Sequence, residues 1–392
     1  MTVFNSKLDK SLVIMAFVEI PEAAMRDILL IGAGKIGETI ADMLCASGDY
    51  RVTVADRSDL QLQKLPRRAN LKTLALDVGD ADALAVSLKG RYAVLSAAPY
   101  SVTGAIATAA RRTGVHYLDL TEDVANTRLV KTLALGAGSA LIPQCGLAPG
   151  FISIVAQDLA RHFDRLDSVR LRVGALPLYP SNALNYNLTW STDGVINEYD
   201  EPCEAIVDGE LREAAPLEEL EEFSLDGIRY EAFNTSGGLG TLCETLQGKV
   251  RQLNYKTVRY PGHRDIMKTL IQDLRLGERR ELLKDVLEHA LPATQQDVVL
   301  VFVTVAGYRG GQFLQESCAN KIYGAEVNGI ARSAIQITTA AGICTMLDLL
   351  AAGVLPQRGL VRQEEVSLAS FLSNRFGTAY GGRGPAPASR AA

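Results

Sequence analysis

Ile28-Leu29-Leu30-Ile31-Gly32-Ala33-Gly34-Lys35-Ile36-Gly37 is an apolar run that breaks into three spaced glycines and opens an amphipathic stretch, 35–47. A short apolar run without polar alternation reads as a parallel strand covered on both faces. The Gly-x-Gly-x-x-Gly spacing asks for a tight turn at Gly32, an open backbone at Gly34 and close helix–strand contact at Gly37. Free N–H groups at the start of the helix then face outward, as phosphate binding requires. Asp56 stands 19 residues after Gly37 at the end of the next apolar run, 52–55. A carboxylate there accepts hydrogen bonds from ribose hydroxyls. Strand, turn, helix and acid in this order imply a dinucleotide site rather than a glycine turn without a ligand. The loop lacks the G-K-[ST] ending of a P-loop, which argues against a phosphotransferase.

Working outward, apolar runs at 28–31, 52–55, 71–76, 93–95 and 140–142 alternate with helix-length segments at 35–47, 80–88 and 102–112. Repeated β–α–β units imply an α/β fold with a doubly wound parallel sheet over residues 25–149. The expected cofactor contacts are Gly32, Ala33, Gly34, Lys35, Ile36 and Gly37 on the loop, then Asp56 and Arg57. Asp77 and Val78 follow the third strand, and Ala97, Ala98 and Pro99 follow the fourth. Asp56 repels a 2′-phosphate and favours NAD; Arg57 is the feature that would accept NADP. Asp77 either faces the adenine or caps the helix at 80–88. Small residues at 96–99 let the backbone approach the nicotinamide half, or simply turn the chain.

The chain has 392 residues, which exceeds one usual hydrophobic core and implies two domains. Its 47% hydrophobic and 22% charged residues are those of a globular chain. A net charge of -5 gives no basic excess, so nucleic acid is not an expected partner. Cys45, Cys145, Cys203, Cys243, Cys318 and Cys344 are scattered singly, with no zinc spacing. Reduced thiols, no metal and a cytoplasmic location are expected. The apolar run 12–18 superficially resembles a short signal peptide, but ends at Glu19 and is too short to span a bilayer. No membrane association is expected, and residues 1–24 read as an N-terminal extension.

Gly146-Leu147-Ala148-Pro149-Gly150 marks a domain boundary. After a helix near 152–163, strand signals at 169–173, 184–190, 229–233, 256–260 and 298–305 imply an α+β domain over 150–330, with a largely antiparallel sheet. The small-residue stretch 332–352 reads as one packed helix within a C-terminal segment, 331–370. Residues 371–392, ending in a Gly/Pro-rich run, are expected to be a disordered tail.

Several longer segments carry a resemblance. They are Cys145 to Phe151, Tyr186 to Tyr199 (with Thr189-Trp190-Ser191 and Gly194-Val195-Ile196-Asn197-Glu198-Tyr199), Glu231-Ala232-Phe233-Asn234-Thr235-Ser236-Gly237-Gly238, and Leu253 to His263. Together they resemble the saccharopine dehydrogenase/lysine 6-dehydrogenase family, in its compact bacterial branch. The resemblance implies a Rossmann domain, a substrate domain whose sheet supports a homodimer, and a C-terminal helix returning to the Rossmann domain. It also implies NAD-dependent oxidation of the ε C–N bond of a small lysine-derived amino acid, giving 2-aminoadipate 6-semialdehyde. The leaving amine is glutamate from saccharopine, or ammonia in lysine 6-dehydrogenase. Saccharopine has three carboxylates, and Lys256 with Arg259 tilts the reading towards it. A non-catalytic NAD(P)-sensing binding protein is the alternative of another class.

Oxidation of an amine needs a base, and so does hydrolysis of the imine. Asp119 ends a predicted strand on the cofactor-binding edge of the sheet, so Asp119 and Glu122 are placed where ligands bind such sheets, though both also suit helix capping. His263 titrates near neutrality and suits a proton shuttle, or is structural. Expected substrate contacts are Cys145, Tyr186, Thr235, Ser236, Gly237, Lys256 and Arg259. The bland readings are packing for Cys145, a hairpin turn for 235–238, and a solvated or interface face for Lys256 and Arg259.

Overall fold

The computed structural model describes residues 25–381. The expected extension 1–24 and the residues from 382 onward lie outside the described residues.

Six parallel strands follow the expected order: β1 (Arg26–Ile31), β2 (Tyr50–Asp56), β3 (Leu71–Ala75), β4 (Ala93–Ser96), β5 (His116–Asp119) and β6 (Ala140–Ile142). Ile28, Leu29 and Leu30 have no exposed surface, as a strand covered by helices on both faces demands. The sheet runs β3-β2-β1-β4-β5-β6, the doubly wound order, with its switch point between β1 and β4. Ile31 pairs with Ala55 on one side and Ser96 on the other, so the carboxyl ends line up where the glycine loop begins. Helix Lys35–Ser47 starts at that loop and stops at Gly48, whose φ of 82° is the left-handed cap that glycine supplies.

The second domain is built on β7 (Arg165–Pro177), β8 (Cys203–Val207), β9 (Glu210–Ala214), β10 (Glu221–Leu225), β11 (Ile228–Asn234), β12 (Gln252–Arg259), β13 (Asp297–Arg309) and β14 (Gln312–Tyr323). The main path is β10-β11-β12-β7-β13-β14, and only the β12–β7 pair is parallel. Segment 184–190 is not the expected strand. It is irregular, with a single bridge from Leu188 to Ala293. Leu184 and Tyr186 instead pack into an apolar cluster with Tyr199, Phe233, Met267 and Ile271.

A small hairpin, β15 (Ala325–Val327) with β16 (Ile330–Arg332), leads into helix Ala334–Ala351. By length and composition this helix could cross a membrane, but 78% of it is buried in the core. Its start is fixed by a Ser333–Gln336 capping box and by Asp297, which accepts the N–H groups of Ala334 and Ile335. It returns to the first domain: Tyr50 donates to Asp348 at 2.7 Å and Arg26 to the carbonyl of Ala351 at 2.7 Å. Beyond it, β17 (Gly359–Leu360) joins the nucleotide sheet beside β6.

The chain stays packed past residue 370, contrary to the expected tail. Helix Leu368–Ser373 buries Phe371, and Tyr380 is buried with its hydroxyl donating to Thr338 at 2.6 Å. Phe151, Phe371 and Tyr380 form an aromatic cluster with ring centroids 4.0 to 5.4 Å apart. Tyr380→Ala is therefore expected to cost about 3–5 kcal/mol in denaturant unfolding, the range for truncating a buried aromatic. A loss below about 0.5 kcal/mol, usual for surface changes, would show that the segment is not part of the core.

Candidate functional site

One cleft of about 710 Å³ runs from the glycine loop across the carboxyl ends of the nucleotide sheet to the second domain. Gly32, Gly34, Lys35, Ile36, Gly37, Asp56, Arg57, Asp77, Val78, Ala97, Ala98 and Pro99 all line it. Ala33 does not line it but donates its N–H to Asp56 at 2.8 Å, tying loop to acid. The other Asp56 oxygen accepts the N–H of Ser58 at 2.8 Å. Asp77 is not the helix cap, a role taken by Asp80; it accepts from the N–H of Gly79 and faces the cleft.

The glycines fit a dinucleotide. A side chain at Gly37 would place its Cβ 1.9 Å from the carbonyl oxygen of Gly32, so only glycine allows the helix this close. Gly34 has nothing within 4 Å of such a Cβ, leaving the open approach that a pyrophosphate needs.

The far end of the cleft is lined by Glu122, Val173, Thr189, Trp190, Glu198, Tyr255, Thr257 and Arg259, and by Gln336 and Thr339 from the returning helix. Arg259 is buried, 5.1 Å over the ring of Tyr186. Its Nε, Thr189 Oγ1 and the Tyr186 hydroxyl have no hydrogen-bond partner among the described residues. Arg259 and Thr189 line the cleft and offer polar atoms that a ligand carboxylate would satisfy, whereas Tyr186, an expected substrate contact, does not line it and packs beneath Arg259. Burial pushes the Glu122 carboxyl up to about 7, with Asp123 and Asp119 adding to the effect. Glu198 is pushed to about 8 by burial and by the charge of Glu122, against the pull of Arg259.

Other expected site residues stand elsewhere. Asp119 has no exposed surface, and its oxygens accept from the Tyr117 hydroxyl and the N–H groups of Thr121 and Gln144. Burial raises it to about 6, but it does not line the cleft and serves as a strut joining β5 to the loop after β6. Cys145 is buried, contacts Gln363 and lies behind the cleft. Lys256 projects from the opposite face of β12 to Arg259 and donates to Glu221 at 2.8 Å. Its neighbour there, Arg172, makes a two-pronged pair with the same Glu221. Thr235 and Ser236 are tied to Thr257 and to the carbonyl of Pro202, and Gly237 backs onto Glu122; none lines the cleft.

His263 is sealed away from the cleft. Tyr199 donates to its Nε2 at 3.1 Å, its Nδ1–H donates to the carbonyl of Leu184 at 3.0 Å, and burial followed by Arg259 depresses it to about 3. The unfolded chain binds a proton near 6.5 that the folded chain refuses. Stability is therefore full above that pH and lost as pH falls through the window towards 3. His263→Gln is expected to flatten the stability-versus-pH slope in that window by up to about 1.4 kcal/mol per unit. An unchanged slope in pH-dependent urea unfolding would contradict the buried neutral imidazole.

Glu198 was not singled out from the sequence. The signal was there: one acid among Val195, Ile196 and Tyr199 on helix Thr192–Asp200, all buried. Thr189, Trp190 and Tyr255 also line the cleft, and nothing in their local sequence marks them for it. Among the described residues, no group of three His, Cys, Asp or Glu is placed to hold a metal ion.

The saccharopine dehydrogenase NADP binding domain matches residues 28–137, and the saccharopine dehydrogenase C-terminal domain matches residues 146–374. The saccharopine dehydrogenase [NADP(+), L-glutamate-forming] of Saccharomyces cerevisiae is 29% identical over 177 residues, covering 44% of this chain and 40% of that protein. The mitochondrial alpha-aminoadipic semialdehyde synthase of Mus musculus is 22% identical over 323 residues, covering 76% of this chain and 33% of that one. The chain thus spans a third to two fifths of the length of these curated relatives. Among solved structures, the apo saccharopine dehydrogenase (L-Glu forming) of Saccharomyces cerevisiae superimposes with a TM-score of 0.71 at 18% identity, over 91% of this chain and 96% of that one. The homospermidine synthase of Legionella pneumophila, in complex with NAD, gives 0.62 at 12% identity, over 91% and 90%. These two likenesses are likenesses of fold.

Proposed function

The chain belongs to the saccharopine dehydrogenase family, and on that premise we propose that it is an NAD(P)-dependent oxidoreductase acting on the ε C–N bond of a lysine-derived amino acid. The observation that carries the reading is one cleft holding the glycine loop at one end, with Glu122 and Arg259 at the other. The bound nicotinamide would accept a hydride from the carbon that bears nitrogen. The protein's own part is to bind, orient and manage protons. Arg259 offers a planar fork to the substrate carboxylate, beside Thr189. Glu122, near neutral in its titration, takes the ammonium proton, because hydride departs only from a carbon next to a free nitrogen lone pair. Once that proton has passed to solvent, the same carboxylate is ionised again and receives a proton from the water that attacks the imine carbon.

The best substrate reading is saccharopine, cleaved to L-glutamate and 2-aminoadipate 6-semialdehyde. Lysine, with loss of ammonia, is the second reading, and one observation favours it. With Lys256 turned away, Arg259 is the one cation among the described residues lining the substrate end, where Glu122 and Glu198 also stand. Three substrate carboxylates are poorly matched to that charge balance. The position of Asp56 supports NAD over NADP, while exposed Arg57 is the residue that would admit NADP. Six unpaired cysteines suit a cytoplasmic setting, and the half-buried Phe223, Tyr260, Phe302 and Tyr323 on the second sheet suit a homodimer.

A panel crossing saccharopine and lysine with NAD and NADP tests the proposal through the rate of cofactor reduction. Reduction by either amine is expected. Cofactor binding without reduction by either would leave the sensor reading in its place.

A further inference from the structure

Two acids from different domains meet at the substrate end. Glu122 enters on the loop after β5, and Glu198 on helix Thr192–Asp200. Both line the cleft, and neither has an ion-pair partner among the described residues. We propose that Glu122 and Glu198 form a cross-domain carboxylate pair sharing one proton, held together by the turn 235–238. This rests on the oxidoreductase reading of the same cleft.

The turn is fastened on both sides. Thr235 Oγ1 lies 2.7 Å from Thr257 Oγ1 on β12, and Ser236 Oγ donates to the carbonyl of Pro202 at 2.9 Å. From that anchorage it grips the backbone of each acid. The Ser236 N–H donates to the carbonyl of Glu198 at 2.9 Å. Gly237, with φ of 82°, lies so close to Glu122 that a Cβ would sit 2.4 Å from its carbonyl oxygen and 3.1 Å from its own Cβ. Gly238 presses on the ring of Tyr255, where a Cβ would fall 2.3 Å away. A side chain at Gly237 or Gly238 would therefore push the acids apart or lift the turn from the sheet.

The surroundings explain why the pair keeps a proton. Glu122 faces Asp119 and Asp123 on its own segment and lines the same cleft as Glu198, whose carboxyl feels the Glu122 charge. Glu198 faces Glu122 and Arg259, with Tyr186, Tyr199, Tyr255 and Cys203 also within its field. Two poorly hydrated carboxylates against one arginine cannot both ionise cheaply, so they titrate as a unit.

Such a pair does both halves of the reaction. The ionised member takes the ammonium proton, freeing the nitrogen lone pair as hydride leaves the carbon. That proton passes to bulk water, which leaves one carboxylate ionised again. Water oxygen then bonds to the imine carbon as the C=N π pair moves to nitrogen, and gives one proton to that carboxylate. The protonated member gives its proton to nitrogen, and the C–N bond breaks with its electron pair staying on nitrogen. The hydroxyl proton passes to the carboxylate that protonated the nitrogen as the carbonyl forms. The departing amine or bulk water carries off the extra proton, returning the pair to one proton.

The test uses the full chain and the variants Glu198→Gln, Glu198→Asp, Glu122→Gln and Gly237→Ala. Glu198→Gln is expected to lower kcat by about 10²–10³-fold, within the range for losing a proton-transfer group. Dinucleotide affinity should stay within about twofold, and Glu198→Asp should restore part of the rate. Infrared titration of the carboxylic C=O band reads the pair without any substrate. It should show a carboxyl that stays protonated above neutral pH, titrating at about 8, and that step should be lost in Glu198→Gln. Its midpoint should move to lower pH in Glu122→Gln, because the neighbouring negative charge is gone, and in Gly237→Ala, because the acids separate. Retention of more than a tenth of kcat by Glu198→Gln, or a midpoint unmoved by Glu122→Gln, would overturn the pair. If the parent turns over no amine, the oxidoreductase reading fails, and the infrared titration still decides whether the two acids share a proton.

Discussion

Gly34→Ala is expected to fold as the parent does and to bind NAD or NADP about 10²-fold more weakly, a loss of about 2.7 kcal/mol. The prediction follows from the empty space beside this glycine. No protein atom lies within 4 Å of where its Cβ would stand, so the fold has nothing to clash with. That same space is where a pyrophosphate must approach the N–H groups opening helix Lys35–Ser47. A methyl group there holds the phosphates off their donors, and charge-assisted hydrogen bonds are each worth about 1.5–3 kcal/mol. Gly37→Ala makes the companion case with a different signature. Its Cβ would meet the carbonyl of Gly32 at 1.9 Å, backbone against backbone, and neither side is a flexible end. Binding should fall together with stability, by about 1–3 kcal/mol, the usual cost of overpacking. Calorimetric titration with NAD and with NADP, paired with denaturant unfolding, separates the two. Parental affinity in Gly34→Ala would remove the loop from the cofactor site.

Arg259→Met should raise KM for the amino-acid substrate by about 10²–10³-fold while leaving dinucleotide affinity within about twofold. Loss of one partner from a buried charged pair costs about 2–5 kcal/mol, and Arg259 is buried beneath the substrate end of the cleft. Methionine keeps the length and the contact with the ring of Tyr186 but offers no charge. Arg259→Lys should fall between the two, because it keeps the charge and loses the planar fork. Removing Arg259 also takes away the cation that favours the ionised form of Glu198. The alkaline limb of the rate profile, set by loss of the proton that Glu198 holds, should therefore move to higher pH in Arg259→Met. Steady-state kinetics across pH reads both effects. An unchanged KM would show that the orphaned Nε serves the fold and not a ligand.

The contrast between these residues and their neighbours shows where sequence reasoning reaches. The nucleotide strands were readable because residues 28–31, 52–55 and 93–95 are continuous apolar runs, which a doubly covered parallel strand requires. Segment 184–190 carries the other strand signal, alternation, and does not form a strand. Leu184, Tyr186, Leu188 and Trp190 alternate with polar residues, but the segment finds no strand neighbour beyond one bridge, and its apolar side chains fill a pocket beside helix His263–Lys268. Lys256 and Arg259 were paired in expectation although the pleat separates them. Tyr255, Thr257 and Arg259 face the cleft, and Lys256 faces Glu221. Asp119 and His263 have the chemistry of catalytic groups, yet their hydrogen-bonding atoms are occupied by distant partners: Gln144 for the acid, Tyr199 and Leu184 for the imidazole. Such saturation depends on long-range packing that no local pattern encodes. Glu198 is the converse case, a charge on an apolar helical face that becomes meaningful only beside Glu122.

The proposed reaction draws its hydride from the carbon that bears the ε nitrogen. Lysine and saccharopine deuterated at the carbon bearing the ε nitrogen, incubated with the protein and NAD or NADP, should give reduced dinucleotide carrying deuterium on the nicotinamide ring, together with 2-aminoadipate 6-semialdehyde. Reduced cofactor without the label, or no reduction by either amine while the dinucleotide is bound, would contradict it.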